Sequence, residues 1–144
     1  MILIISLESN NAEFTKGGYS LPTALIKALG KPIVFWLVEN LIKCRPDDLE
    51  TVLIAFPEDY LPYRLEDLLR KKFPTVPLAF ICLRHSTRGA LDTVSQALNY
   101  FVDVRDQPVV FLESSSHFYS CNVLSKWNRS NQICTFREES GCTE

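Results

Sequence analysis

The sequence predicts one α/β domain: a doubly wound, mostly parallel sheet with helices on both faces, in a three-layer α/β/α arrangement. Three observations carry this. Apolar, β-branched runs recur at Met1–Ser6, Thr51–Phe56, Leu78–Leu83 and Pro108–Leu112, continuous rather than alternating, as in strands buried on both faces. Segments with helical spacing of apolar residues separate them, so strands and helices alternate along the chain. A length of 144 residues, with 47% hydrophobic and 22% charged residues, suits a single domain over 1–144 with a sizeable core.

Met1–Ser6 is the expected central strand. Leu7–Tyr19 reads as polar loop, in which Gly17 and Gly18 permit a sharp turn or close approach to a ligand. Thr23–Leu29 is a short turn or strand before Gly30. Pro32–Lys43 is a helix with Pro32 near its first turn and Ile33, Trp36, Leu37, Asn40 and Leu41 on its apolar stripe, ended by Arg45-Pro46-Asp47-Asp48.

Thr51–Phe56 is the second strand, and Pro57-Glu58-Asp59 opens a short connection. Leu61–Lys72 is an amphipathic helix with Leu65, Leu68 and Leu69 inward. Arg70, Lys71 and Lys72 in its last turn suit the negative helix end and read as a solvated face. Pro74 and Pro77 frame the third strand. Arg84–Gly89 is a second loop at the sheet's carboxyl edge, followed by a helix over Ala90–Phe101 with Leu91, Val94, Leu98 and Phe101 on one face. The fourth strand leads into Glu113–Phe118. An amphipathic segment near Val123–Ser130 and a strand at Gln132–Phe136 follow.

Composition excludes several classes. A net charge of −2 with dispersed basic residues gives no footprint for nucleic acid. No apolar run reaches the length that spans a bilayer, and Met1–Ser6 lacks the basic start and cleavage site of a signal peptide. Five scattered cysteines with no Cys-x-x-Cys pair read as free thiols in a reducing compartment, the cytoplasm, with Cys44 and Cys82 as small buried hydrophobes. Two distant histidines and these cysteines lack the ligand spacing of a zinc site. His85 or His117 with Ser114–Ser116 or Cys82 forms no nucleophile-elbow pattern, and no phosphate-loop or dinucleotide motif occurs.

The loop after the first strand of an open α/β sheet lies where ligands bind. Here it reads Phe14-Thr-Lys-Gly-Gly-Tyr19, then Leu21-Pro-Thr-Ala-Leu-Ile26, Gly30-Lys-Pro-Ile33 and Glu39-Asn-Leu41. This run, with Thr87-Arg-Gly-Ala-Leu-Asp-Thr93, resembles the opening part of the sugar-phosphate nucleotidyltransferases, the NDP-sugar pyrophosphorylase-like family. The resemblance implies a Rossmann-like nucleotidyltransferase fold binding a nucleoside triphosphate and a sugar phosphate, or phosphocholine, with magnesium if the domain is active.

Carried over residue by residue, the framework matches and the chemistry does not. The family's loop glycines fall on Ser9 and Asn11, and its triphosphate-holding arginine falls on Glu13, reversing a charge. Its lysine falls on Thr23, and its metal aspartate falls on Ser116, whose hydroxyl is a poor magnesium ligand. The substitutes within reach of the pattern are Lys27 for the lysine, Glu113 for the carboxylate, and Lys16 or Arg88 for the arginine. Lys16, Arg88, Gly89 and Ala90 keep the family pattern on the ligand-binding side.

Because such chemistry is mostly charge compensation, each lost cation or metal ligand is expensive. The resemblance therefore implies a degenerate domain that binds nucleotide or sugar phosphate, or serves as a regulatory subunit in a homo- or hetero-oligomer beside an active relative. The family precedents are the non-catalytic subunits of GDP-mannose pyrophosphorylase and of the guanine-nucleotide exchange complex of translation initiation. The alternatives are an active transferase making a CDP-, UDP- or GDP-linked product, and a fragment whose missing half supplies the acceptor site. No nucleic acid and no membrane partner is expected.

Overall fold

The computed structural model describes residues 1–7, 12–43, 47, 49–84, 90–100 and 107–113. Four strands, β1 (Ile2–Ser6), β4 (Thr51–Pro57), β5 (Leu78–Leu83) and β6 (Val109–Glu113), form one parallel sheet in the order β5-β4-β1-β6. Between β1 and β4 lie α1 (Ala12–Lys16), a 3-10 turn at Thr23–Leu25, a two-stranded ribbon of β2 (Lys27–Ala28) and β3 (Lys31–Pro32), and α2 (Ile33–Lys43). A 3-10 segment at Glu58–Tyr63 and α3 (Leu65–Lys72) join β4 to β5, and α4 (Ala90–Asn99) lies between β5 and β6.

The β1 run is buried on both faces because it is the central strand. Ile4 pairs in register with Leu53 on one side and Phe111 on the other, and Leu3, Ile4 and Ile5 are wholly enclosed. Alternation then sorts the side chains. Leu3, Ile5, Val52, Ile54 and Phe56 pack with Val34, Leu37 and Val38 of α2 and with Leu65 and Leu69 of α3. Ile2, Ile4 and Leu53 pack with Ala97 of α4 on the opposite face. The three layers follow from connection chirality. The chain steps outward from β1 through β4 to β5 with its crossover helices on one face, and its return to β6 on the far side of β1 puts α4 on the other.

Several expectations change. Leu7–Tyr19 is not all loop, because Ala12–Lys16 closes into a helical turn with a complete C-terminal cap. Gly18 takes φ +86° there, its amide bonds to the Thr15 carbonyl (3.1 Å), and the Tyr19 amide bonds to the Phe14 carbonyl (3.0 Å). The Phe14 and Tyr19 rings meet edge to face at 6.1 Å, the apolar contact that accompanies this cap. The paired glycines therefore stop a helix.

Pro32 lies in β3 and not in the first helical turn, since its partner across the ribbon is Lys27. The buried stripe of α2 is Val34, Leu37, Val38 and Leu41, one step around from the stripe the spacing suggested. Ile33, Trp36 and Asn40 are only half-buried. Trp36 sits against the ribbon instead, donating from Nε1 to the Ala28 carbonyl (2.8 Å).

The single helix expected over Leu61–Lys72 is two pieces, broken where Arg64 takes φ +51°. The Arg64 amide closes the 3-10 segment on the Leu61 carbonyl (3.1 Å), and its left-handed backbone turns the chain before α3 begins. Leu65 and Leu69 face inward, but Leu68 is 41% exposed, because the inward direction returns at i+4 and not at i+3 here. On α4 the enclosed residues are Thr93 and Ala97, while Leu91 is 86% exposed: small side chains let the helix approach the sheet closely. The cations ending α3 are all exposed, as expected, with Arg70 also lying over the Phe80 ring at 4.9 Å and Lys72 coming within 4.0 Å of Glu39. The helix stop at Arg45, Pro46 and Asp48, together with Cys44, His85, Phe101, His117 and the segments 123–130 and 132–136, lies outside the described residues.

Candidate functional site

In an open parallel sheet, ligands settle beyond the carboxyl ends of the strands, where the chain reverses its direction of progress across the sheet. Here that place is between β1 and β6. Ser6 and Glu113, the last residues of the two strands, stand in register there. The chain from Ala12 to Pro32 lies between β1 and α2 in the sequence and carries most of the candidate residues.

Thr23 begins the 3-10 turn and is 1% exposed. Its Oγ1 is buried with no hydrogen-bond partner among the described residues. An unmet buried hydroxyl costs about 1–3 kcal/mol. The turn is held from below by Tyr60, wholly enclosed, whose hydroxyl accepts the Ala24 amide at 3.2 Å. Nothing local in the sequence flagged Tyr60, because that bond spans 36 positions.

Lys27 lies in β2 and is exposed. The ribbon it belongs to turns at Leu29 and Gly30, with φ +51° and +80°. Positive φ at both turn residues is the geometry that matches strand twist, usually filled by Asn-Gly; here Leu29 stands in it, 92% exposed. Lys31 closes the ribbon onto α2. Its Nζ sits 3.6 Å from the Trp36 ring centre and 2.6 Å from Glu39 Oε2. That hydrogen bond from Lys31 holds the Glu39 carboxyl below its ordinary value, against the opposing effect of burial.

Glu13 and Lys16 are exposed on α1, and no residue of that helix is buried. Ala90 is the first residue of α4 and Glu113 the last of β6. Ser9, Asn11, Arg88, Gly89 and Ser116 lie outside the described residues. The structure thus places Ser6 and Glu113 side by side, puts Thr23 inside the protein, and sets Glu13, Lys16 and Lys27 at the surface. Cys82 is half-buried at the end of β5, and burial pushes its thiol up, with Glu58 adding to the effect. A raised thiol works against a nucleophilic cysteine.

Magnesium is the ion the resemblance implies. Among the described residues no group of three or more His, Cys, Asp or Glu is placed to hold a metal, and Glu113 alone does not make a magnesium set. No helix among the described residues is long and apolar enough to cross a membrane.

Comparison of the coordinates with solved structures decides the fold. The nucleoside-diphosphate-sugar pyrophosphorylase from Vibrio cholerae RC9 superposes with a TM-score of 0.62 at 17% identity, over 78% of this chain and 46% of that one. The fold is pyrophosphorylase-like. A UDP-glucose pyrophosphorylase complexed with UDP-glucose gives 0.60 at 10% identity over 87% of this chain and 51% of that one. The UDP-glucose pyrophosphorylase from Acinetobacter baumanii gives 0.54 at 14% identity over 78% and 45%. This chain spans about half the length of these pyrophosphorylases. No protein-family model matches the sequence, and no curated protein matches it.

Proposed function

We propose that this domain is a catalytically degenerate nucleotidyltransferase-like module that binds a nucleotide or sugar phosphate, or serves as a regulatory subunit in an oligomer with an active relative, in the cytoplasm. Thr23 carries the reading. The resemblance sets the family's lysine at this position, and here the position holds an enclosed hydroxyl with no surface to offer a ligand. Nucleotidyl transfer depends on compensating phosphate charge, so a site without that cation loses most of its rate. Lys27, the nearest substitute in sequence, is exposed on a ribbon tied to α2. Glu13 further sets a negative charge where the resemblance implies a positive one. The likeness to a pyrophosphorylase holding UDP-glucose supports sugar nucleotides as the ligand class.

The test is pyrophosphate release from each of ATP, CTP, GTP and UTP with glucose 1-phosphate and magnesium. No release above a no-protein control is expected. Sustained release with any of the four overturns the degenerate reading in favour of an active transferase.

A further inference from the structure

Three amides of the turn from Pro22 to Ile26, those of Ala24, Leu25 and Ile26, are spent inside the protein. Pro22 has no N–H to give. The Ala24 amide donates to Tyr60 Oη at 3.2 Å, the Leu25 amide to the Pro22 carbonyl at 2.8 Å, and the Ile26 amide to the Thr23 carbonyl at 3.2 Å. Exposed turn amides are a common means of holding anions at loops. From Ala24 to Ile26 none is left to offer. Of the three, only the Ala24 bond comes from a distant side chain. Tyr60 lies in the 3-10 segment that follows β4, is wholly enclosed, and its ring stands edge-on to Phe56 at 6.3 Å.

We propose that Tyr60 is a positioning residue, a latch whose hydroxyl takes the Ala24 amide and keeps the Pro22–Ile26 turn folded into the core and closed to phosphate-bearing ligands. The next segment has its own tie, from Trp36 Nε1 to the Ala28 carbonyl at 2.8 Å, with Lys31 stacked on the same ring. The two ties hold adjacent segments from different elements, so each can be released alone. The proposal deepens the functional reading above and rests on it only for the class of ligand excluded.

The experiment is amide-resolved NMR on the full chain: hydrogen exchange and a pyrophosphate titration for wild type, Tyr60→Phe and Trp36→Phe. In Tyr60→Phe, exchange at Ala24 is expected to speed about tenfold relative to the Ile4 and Leu53 amides of the core. In Trp36→Phe the acceleration should fall on Ala28 and Lys31 and spare Ala24. Pyrophosphate is expected to leave the Ala24, Leu25 and Ile26 amides of the wild type unmoved and to shift Ala24 in Tyr60→Phe.

Equal exchange at Ala24 in wild type and Tyr60→Phe, or pyrophosphate shifts at 24–26 in the wild type, overturns the latch. If Tyr60→Phe does not fold, wild-type exchange decides: an Ala24 amide protected like the core supports the latch, and an unprotected one overturns it. Shifts elsewhere at the carboxyl edge speak to the ligand and leave the latch standing.

Discussion

Substituting Thr23→Lys restores the residue that the family resemblance asks for, and the structure predicts that it does harm. Thr23 is 1% exposed, so a lysine there either carries its charge into the protein or gives up its proton. Discharging an ammonium of ordinary pKa near 10.4 at pH 7 costs about 4–5 kcal/mol. The longer side chain adds roughly 1–3 kcal/mol of overpacking. Against a typical total stability of about 5–15 kcal/mol, that is enough to leave the variant marginal or unfolded.

The sign of the pH dependence is also fixed. A buried lysine has a lowered folded-state pKa, so the unfolded chain binds more protons, and stability rises with pH up to the unfolded value. The expected slope is about 1.4 kcal/mol per pH unit between pH 7 and 9. Urea unfolding of wild type and variant at pH 7, 8 and 9, compared at constant m, gives both numbers. A variant within 1 kcal/mol of wild type with no such slope, 1 kcal/mol being well under the roughly 4–5 kcal/mol discharge cost, refutes the reasoning. It would mean that position 23 opens to solvent or a cleft.

Other consequences can be checked by the same unfolding assay. Leu53→Ala removes a wholly enclosed side chain from the centre of the sheet and should cost about 3 kcal/mol, with a loss under 1 arguing against the described core. Leu29→Asn should stabilise by about 1 kcal/mol, because leucine at φ +51° and 92% exposure bears the left-handed strain and gains no burial. Gly18→Ala should destabilise by about 1 kcal/mol through its φ of +86° alone, since an added Cβ there meets nothing within 4 Å. Lys31→Met should flatten the acid side of the stability profile. The Glu39 carboxyl is held below its ordinary 4.5, so its contribution is present above that value and is lost as pH falls through the lower folded one. For a half-exposed pair this amounts to about 0.5–1 kcal/mol.

The four strands of the main sheet were legible because each is a continuous apolar run, although only the inner strands β1 and β4 are enclosed along most of their length and the edge strands β5 and β6 are partly half-buried. Helix faces were less so. Spacing alone could not tell Val34 and Val38 from Ile33 and Trp36, because the ribbon that covers Trp36 is a tertiary element. On α4, large Leu91 drew the eye while small Thr93 and Ala97 make the contact. The glycines at 17 and 18 signalled a special backbone correctly but not its purpose, a helix cap stapled by Phe14 and Tyr19. At the site, sequence reading marked position 23 but could not show its burial, nor reach Tyr60 across 36 residues.

The proposed degenerate function implies no metal-assisted nucleotidyl chemistry at this edge of the sheet. Thermal unfolding of the chain with millimolar ATP, CTP, GTP or UTP, each with and without magnesium, tests it most directly. A ligand at ten times its Kd adds about 1.4 kcal/mol, which moves Tm by roughly 3–6 °C. Any shift a nucleotide produces is expected to be the same with magnesium as without it. A shift that one nucleotide produces only when magnesium is present would contradict the proposal.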